Sequence, residues 1–408
     1  MRIFFVLSRI PYPLTDGGAI VSYNTLKYLR QAGHEIAAAA LNPKKHRETL
    51  EPLAAMCSRA RAFDIDTDIT PRGALAALAR KESYVASRFV SAEFLQILME
   101  EIRAFAPDIV HLDHTLVGWY AGALRRALPP AERPPIVLRA HNVEYVIQRR
   151  LATGERFLAR RWYREIEAER LRETERQYFR ECDGVAAITS EDAAEIRQMG
   201  FAGEIACVPA GVDTEEFAPA TQAESAQTLP NTACYIGGMD WEPNIEAMRW
   251  FVGEILPKAL RLSPTMEFHI AGKRMSDEIR AYERVRGVRV FPNAPSAADF
   301  LRAREILVVP LRSGGGMRLK IIEAMALGKA IISTRVGAEG IAVRDGESIL
   351  FAETPEEFAG AIAHLLENPA LRRRLGEAAR KLALERYRWE SVTLELTKLY
   401  ERLLSLPR

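Results

Sequence analysis

Two spacings of apolar residues alternate along this chain. Short unbroken apolar runs, bounded by glycine, proline or polar clusters, read as strands buried on both faces. Longer stretches in which apolar residues recur every three or four positions read as helices. Strands are predicted over 2–7, 35–41, 109–112, 136–140 and 184–189, with helices over 18–32 and 92–104 between them. Ser190 is then a predicted N-cap for a helix over 191–199. A second series has strands at 232–236, 268–272, 288–291, 306–311 and 330–334, and a helix over 244–251. It ends in helices over 355–366, capped by Thr354, then 370–387 and 388–404. Strands separated by helices call for parallel, doubly wound α/β sheets that bind ligands at the carboxyl ends of their strands. A length of 408 residues suits two such cores, and the polar, aperiodic stretch 221–231 fits an exposed linker.

One stretch departs from this alternation. Residues 148–181 carry ten Arg and seven Glu, many three or four positions apart, which predicts a long helix with a salt-bridged, solvated face. Leu158, Trp162, Ile166 and Phe179 are its expected buried side. An Arg-rich face beside Trp162 and Tyr163 also suits an anionic membrane surface. Over the whole chain the formal charge is only +2, with 27% charged residues, so no nucleic-acid partner is expected. Cys57, Cys182, Cys207 and Cys234 lie far apart, without a zinc pattern or a secreted disulfide framework, and a reducing cytosol is the expected compartment. The first seven residues read as a strand, too short for a signal-peptide core, and no apolar run is long enough to span a membrane.

Candidate chemistry concentrates in loops that follow predicted strands. After the 306–311 strand comes Ser313-Gly-Gly-Gly-Met-Arg-Leu-Lys320, leading into a helix with Leu319, Ile322, Glu323, Met325 and Ala326 on its period and Gly328 at its end. The glycines Gly314, Gly315 and Gly316, with Met317, let the backbone turn tightly and approach a ligand. A helix start aims backbone N–H groups and the positive dipole end at one spot, which suits phosphate. Arg318 and Lys320 add two cations where a helix disfavours them, unless an anion outweighs the repulsion. Glu323, one turn behind Lys320, is placed to hold ribose hydroxyls. The plain alternative is a glycine turn whose Arg and Lys face water.

Three other loops offer polar groups. Asp16, Gly17 and Gly18 open a helix after the first strand, either as a cap or as a ligand loop. His141, Asn142 and Glu144 follow the 136–140 strand, where a His is either structural or faces a crevice. Asp113 and His114 rank below them; His111-x-x-His114 resembles a zinc spacing, but a strand would place the two rings on opposite faces. Gly237 and Gly238 precede Trp241 and Asn244 in the second series. The Asp-x-Asp spacings at Asp64, Asp66 and Asp68 read as an acidic, solvated loop, and no metal site is expected.

These motifs resemble the retaining glycosyltransferases of GT-B fold, in the large family-four group. Their donor signature is Glu, seven residues, Glu, then Ala-Met-Ala-x-Gly-Lys/Arg; here Glu323-Ala-Met-Ala-Leu-Gly-Lys329 supplies the second Glu, and Gly315 stands in place of the first. Some members carry Gly-Gly-x-Arg-x-Lys at this point, as this chain does. Pro209-Ala-Gly-Val-Asp-Thr-Glu-Glu-Phe217 matches their segment leading into the second domain. The resemblance implies two Rossmann-like domains facing across a cleft. It implies that residues 1–208 form the acceptor-side domain, 209–387 the donor domain, and 388–408 a helix packing back on the first. It implies that Gly17 and Gly18 lie near the donor phosphates and the acceptor, and His141 near the sugar's hydroxyls. Asp16, Asn142 and Glu144 are then candidate sugar or acceptor contacts. The family's Arg and Lys after the 232–236 strand are missing from Met239-Asp-Trp-Glu-Pro-Asn244, so Arg318 and Lys320 take over the charge neutralisation, with Gly238, Trp241 and Asn244 lining the donor site.

The implied activity is transfer of a sugar, of hexosyl type, from a nucleotide-diphosphate sugar to a glycan, lipid-linked or small-molecule acceptor. The anomeric configuration is retained, without metal and without a cofactor beyond the co-substrate. Polysaccharide biosynthesis at a cytoplasmic location, free or peripheral to the inner face of the membrane, is the implied setting. A nucleotide-sugar epimerase on the same fold and a non-catalytic sugar-nucleotide or glycan-binding protein are the alternatives.

Overall fold

The computed structural model describes residues 1–14, 16–153, 155, 157–221 and 228–406, so most of the predicted 221–231 linker lies outside it. Contacts divide the chain into two compact units, Met1–Pro209 with Val392–Arg408, and Ala210–Ser391. The first unit holds a seven-stranded sheet of β1 (Arg2–Leu7), β2 (Glu35–Pro43), β3 (Arg59–Ile65), β4 (Ile109–Asp113), β5 (Ile136–Ala140), β6 (Gly184–Ala187) and β7 (Glu204–Cys207). Their order is β3-β2-β1-β4-β5-β6-β7 and every pairing is parallel. The second unit repeats the plan with β8 (Thr232–Ile236), β9 (Glu267–Gly272), β10 (Val288–Pro292), β11 (Ile306–Val309), β12 (Ala330–Ser333) and β13 (Leu350–Phe351), in the order β10-β9-β8-β11-β12-β13.

Central strands are apolar throughout because helices cover both faces of a parallel sheet. Ile3 to Leu7 of β1 are all buried, with Phe5 level with Ala38 on one side and His111 on the other. Phe4, Val6, Phe94, Leu98, Phe105, Leu112, Leu138 and Val185 belong to one core cluster of this unit. Helix starts follow local capping: Asp16 accepts from Ala19 N at 3.1 Å ahead of the Gly17–Gln31 helix, and Thr354 and Glu357 form a capping box.

The structure differs from the sequence reading where an element is an edge or a helix runs past its support. β3 is an edge strand that lacks a continuous apolar run, so its alternation of exposed and half-buried residues hides it. Asp64 therefore sits in a strand, paired with Arg47 at 2.9 Å, and the expected acidic loop begins only after Ile65. Thr189, not Ser190, caps the Ser190–Gln198 helix. The predicted 148–181 helix is two helices, Glu144–Thr153 and Leu158–Arg180. Phe179 is buried as expected, but Leu158 and Trp162 are exposed, because the body of the unit grips this helix only from its second turn onward. Strand alternation does not apply to His114 either: β4 stops at Asp113, and His114 leaves it with φ of +98°.

The Leu319–Ala326 helix is followed by Gly328 at φ +69°, where the Pro369–Arg386 helix passes very close. A Cβ on Gly376 would sit 1.9 Å from the Gly328 carbonyl oxygen. Gly376→Ala should therefore push the two helices apart and cost about 1–3 kcal/mol. A thermal denaturation midpoint equal to wild type would show that the crossing is looser than this.

Candidate active site

In the second unit the strand order reverses between β8 and β11, so their crossovers leave on opposite faces and open a crevice at the carboxyl ends. The loops after these two strands fill it. Gly314 and Gly316 take φ of +108° and +72°, which side-chain-bearing residues rarely adopt. A Cβ on Gly314 would also meet the Trp241 ring at 2.8 Å. Arg318 is the N-cap residue of the Leu319–Ala326 helix and is buried, its guanidinium 5.4 Å from the centre of the Trp241 ring. Its Nη1 donates to the carbonyl of Gly315 and, at 2.6 Å, to that of Gly316. The glycine turn thus folds carbonyl oxygens back onto a cation that the helix dipole disfavours.

Lys320 is the second residue of that helix. Its Nζ sits 3.8 Å over the Tyr235 ring and donates to Asn244 Oδ1 at 3.5 Å. Asn244 is buried, accepts from Tyr235 Oη and donates to the Gly238 carbonyl at 2.7 Å. A Cβ on Gly237 would come within 2.7 Å of Lys320 Nζ, which is what the glycine pair after β8 leaves room for. Burial first, and then the charge of Arg318, push the Lys320 amine well below the ordinary lysine range, against the opposing pull of Glu323. Glu323 is itself pushed up to about 7, by burial and by Glu216. Trp241 is exposed and caps the Glu242–Trp250 helix, two residues earlier than the predicted start at 244. Met317 is half-buried in the turn.

In the first unit the reversal falls between β1 and β4. Asp16 caps the Gly17–Gln31 helix and pairs with Arg9, and a Cβ on Gly18 would approach Arg9 Nη2 to 3.2 Å. Asp113, at the end of β4, is buried and held by His141 Nε2 at 2.9 Å and by Ser22 Oγ, with His111 Nε2 at 3.6 Å. Burial alone would raise this carboxyl, but His141 and His111 outweigh it and hold it well below the usual carboxylate range. An ionised Asp113 accepts from His141, so Nε2 carries the proton and Nδ1 is the nitrogen left for other partners. His111 continues the chain inward to Tyr400 Oη at 2.7 Å, and burial lowers its pKa.

Around His141 the other groups are close. The His114 ring centre is 5.2 Å from that of His141, and His114 Nε2 is 3.7 Å from Glu144 Oε1. Burial, then the charge of His141, push His114 down to about 3, so this ring is neutral. Asn142 donates to Glu144 at 3.3 Å. Glu175 is buried beneath the Glu144–Thr153 helix and accepts from Glu144 N at 2.8 Å and Tyr145 N at 3.0 Å. Burial raises Glu144 to about 7, and burial together with Glu144 raises Glu175 to about 8.

The sequence-predicted residues thus form two sets, one in each unit. Arg318, Lys320, Trp241, Asn244, Gly238 and Gly314–Gly316 come together in the second, and His141, Asn142 and Glu144 in the first. The sequence ranks Asp113 below His141, whereas in the structure Asp113 ties Ser22, His111 and His141 together. Glu175 is one of seven glutamates in a stretch that reads as solvated, and nothing local marks it as buried. Among the described residues no group of three His, Cys, Asp or Glu side chains is placed to hold a metal ion.

The chain is similar to known glycosyltransferases. A family model described as Glycosyltransferase Family 4 matches residues 15–216, and one described as Glycosyl transferases group 1 matches 230–368. A phosphatidyl-myo-inositol mannosyltransferase of Mycobacterium tuberculosis is 29% identical over 228 residues, 53% of this chain and 59% of that protein. That match spans less than two thirds of the relative's length. A D-inositol 3-phosphate glycosyltransferase of Nocardiopsis dassonvillei is 25% identical over 322 residues, 74% of this chain and 71% of its own. Among solved structures, sucrose-phosphate synthase from Thermosynechococcus elongatus gives a TM-score of 0.72 at 19% identity, covering 99% of this chain and 100% of that one. HepE from Anabaena, solved with UDP and glucose, gives 0.66 at 13% identity, with 99% of each chain covered. At these identities the structural likeness speaks for the fold alone.

Because the native state keeps protons on Glu144 and Glu175 up to about 7 and 8, it binds more protons than the unfolded chain above the ordinary glutamate pKa. The contribution of these two carboxyls to stability should therefore fall as pH rises from about 5 to 8, against the opposite contribution of the neutral His114 and His111. Glu175→Gln should flatten that decline when thermal midpoints are compared across the range, and parallel curves for the two proteins would refute the assignment.

Proposed function

The chain belongs to the group 1, family 4 glycosyltransferases and has their GT-B fold, and from that premise we propose that it transfers a sugar from a nucleotide-diphosphate sugar to an acceptor hydroxyl. The observation that carries this reading is the pairing of Arg318 with Lys320 at one helix start, beside Trp241, Asn244 and Tyr235. Glycosyl transfer leaves negative charge on the departing diphosphate, so catalysis needs positive groups fixed where that charge grows. Arg318 offers a planar fork to phosphate oxygens, Lys320 a point charge, and the helix start its backbone N–H groups. A bound diphosphate also restores the charge that burial and Arg318 suppress on Lys320. Glu323, on the same helix, is assigned to the ribose hydroxyls.

The positive charge already in the site supports a metal-independent reaction with no cofactor beyond the co-substrate. The match to family-four relatives supports transfer with retention, in which the leaving phosphate helps take the acceptor's proton. In the first unit His141 is assigned to the sugar's hydroxyls, with Asp113 fixing its tautomer and orientation, as a buried carboxylate does for other catalytic histidines. Asp16, Asn142 and Glu144 are assigned to sugar or acceptor. Of the glycan, lipid-linked and small-molecule acceptors, the names of the relatives support the last two: a phosphatidyl-myo-inositol mannosyltransferase for a lipid-linked acceptor and a D-inositol 3-phosphate glycosyltransferase for a small molecule.

Arg318→Ala and Lys320→Ala should each lower kcat by about 10²–10³-fold while the fold is kept. The readout is nucleoside-diphosphate release from UDP-, GDP- and ADP-sugars with and without acceptor, and the product's anomer is read by NMR. Unchanged rates would remove the proposed mechanism, and a sugar isomer formed without acceptor would point to epimerisation. Asp113→Asn should lower kcat/KM by about tenfold or more in a variant that still unfolds cooperatively, because the carboxylate that fixes the tautomer of His141 is lost. Full activity in this variant would show that His141 does not depend on it.

A further inference from the structure

The second turn of the Leu158–Arg180 helix is where the body of the first unit takes hold, and what lies before it stands in solvent. All residues from Phe157 to Trp162 are exposed. Phe157 is 66%, Leu158 81% and Trp162 58% exposed, so three large apolar side chains are presented within six residues. Single exposed hydrophobics need no explanation, but a contiguous apolar tip marks a place where another phase or molecule is met. The sequence around the tip is rich in cations. Residues 149–164 hold six arginines, at 149, 150, 156, 160, 161 and 164, against one glutamate, Glu155, a local excess of five positive charges on a chain whose total is +2. Arg160 lies over the Phe157 ring at 5.3 Å, Arg161 pairs with Glu165 at 2.8 Å, and Arg164 with Glu155 at 3.7 Å.

The Pro71–Arg80 helix adds a second set of the same kind on this unit. Arg170 of the long helix ties the two together, donating to the carbonyls of Ala77 at 3.3 Å and Leu78 at 3.1 Å. Leu75 on that helix and Ile69 just before it are exposed among Arg72, Arg80 and Lys81. Tryptophan and phenylalanine flanked by arginine is the composition that settles at the headgroup level of a bilayer, with the rings among the acyl chains and the cations on anionic phosphates.

We propose that the Phe157–Trp162 tip is a membrane-docking element that inserts Phe157, Leu158 and Trp162 into the interface of an anionic bilayer while Arg160 and Arg161 bind its phosphates. A protein partner would match the apolar groups equally well, but the concentration of arginine around them selects a surface dense in negative charge. No helix among the described residues is long and apolar enough to cross a membrane, so the contact is peripheral. The element lies outside both residue sets assigned to transfer, and the proposal stands whatever sugar or acceptor is used.

The test is co-sedimentation of the full-length protein with phosphatidylcholine vesicles, with and without phosphatidylglycerol, at low and high salt. Wild type should bind the anionic vesicles only, less tightly as salt rises, and Trp162 fluorescence should be quenched by lipids brominated on the acyl chain. The triple variant Phe157→Ser, Leu158→Ser, Trp162→Ser and the double variant Arg160→Glu, Arg161→Glu should each lose roughly tenfold or more in vesicle affinity, since each basic residue near such a surface contributes about a factor of five. Both alter only exposed side chains, so transfer to a soluble acceptor should stay at the wild-type rate, which separates this result from the fate of the transferase reading. Equal binding by the triple variant overturns the proposal. So does equal binding to neutral vesicles, or a concentration-dependent dimer in light scattering that the triple variant abolishes while vesicles go unbound.

Discussion

A doubly wound parallel sheet has one place where a ligand can reach the strand ends without meeting a crossover, and that constraint organises both units of this protein. In the first it falls between β1 and β4, in the second between β8 and β11. Buried polar groups that a core would otherwise reject collect there, because only there do strand ends, helix starts and open space coincide. Asp113 ends β4, His141 follows β5, and the two glycine turns of the second unit follow β8 and β11.

The two sets are built with opposite charge logic. In the second unit like charges are pressed together: Arg318 and Lys320 share one helix start, and burial makes the second cation costly. The turn compensates in part by folding the Gly315 and Gly316 carbonyls onto Arg318, which needs glycine at the positive-φ positions 314 and 316. In the first unit an ionised Asp113 gathers His141, Ser22 and His111. Glu144 and Glu175 nearby are held up in pKa by burial, one at the start of a helix and the other beneath it.

Helix starts recur as the common resource. Glu175 and Glu167, both on the Leu158–Arg180 helix, accept from the opening backbone N–H groups of the Glu144–Thr153 and Tyr84–Ser87 helices. Two carboxylates of a stretch whose charges read as a solvated face are thus anchors, and the same helix begins in an apolar tip in solvent. One helix serves as brace at its buried end and as a contact surface at its free end.

Taken alone, the sequence determined the alternation of strands and helices, the glycine turn with Arg318 and Lys320, the caps at Asp16 and Thr354, and the His141 loop. These are local: a strand buried on both faces must be apolar throughout, and a turn at positive φ must be glycine. The edge strand β3 escaped because one side of an edge faces water and leaves no apolar run to read. Only the tertiary structure decided that Asp113 and not a lone His141 is the hub of the first unit, since their meeting is set by two strand ends and not by any spacing along the chain. It alone decided that Glu167 and Glu175 are buried while Leu158 and Trp162 are not. Helical periodicity gives the face on which a residue lies, but how far along a helix the supporting body reaches is fixed by packing between elements distant in sequence.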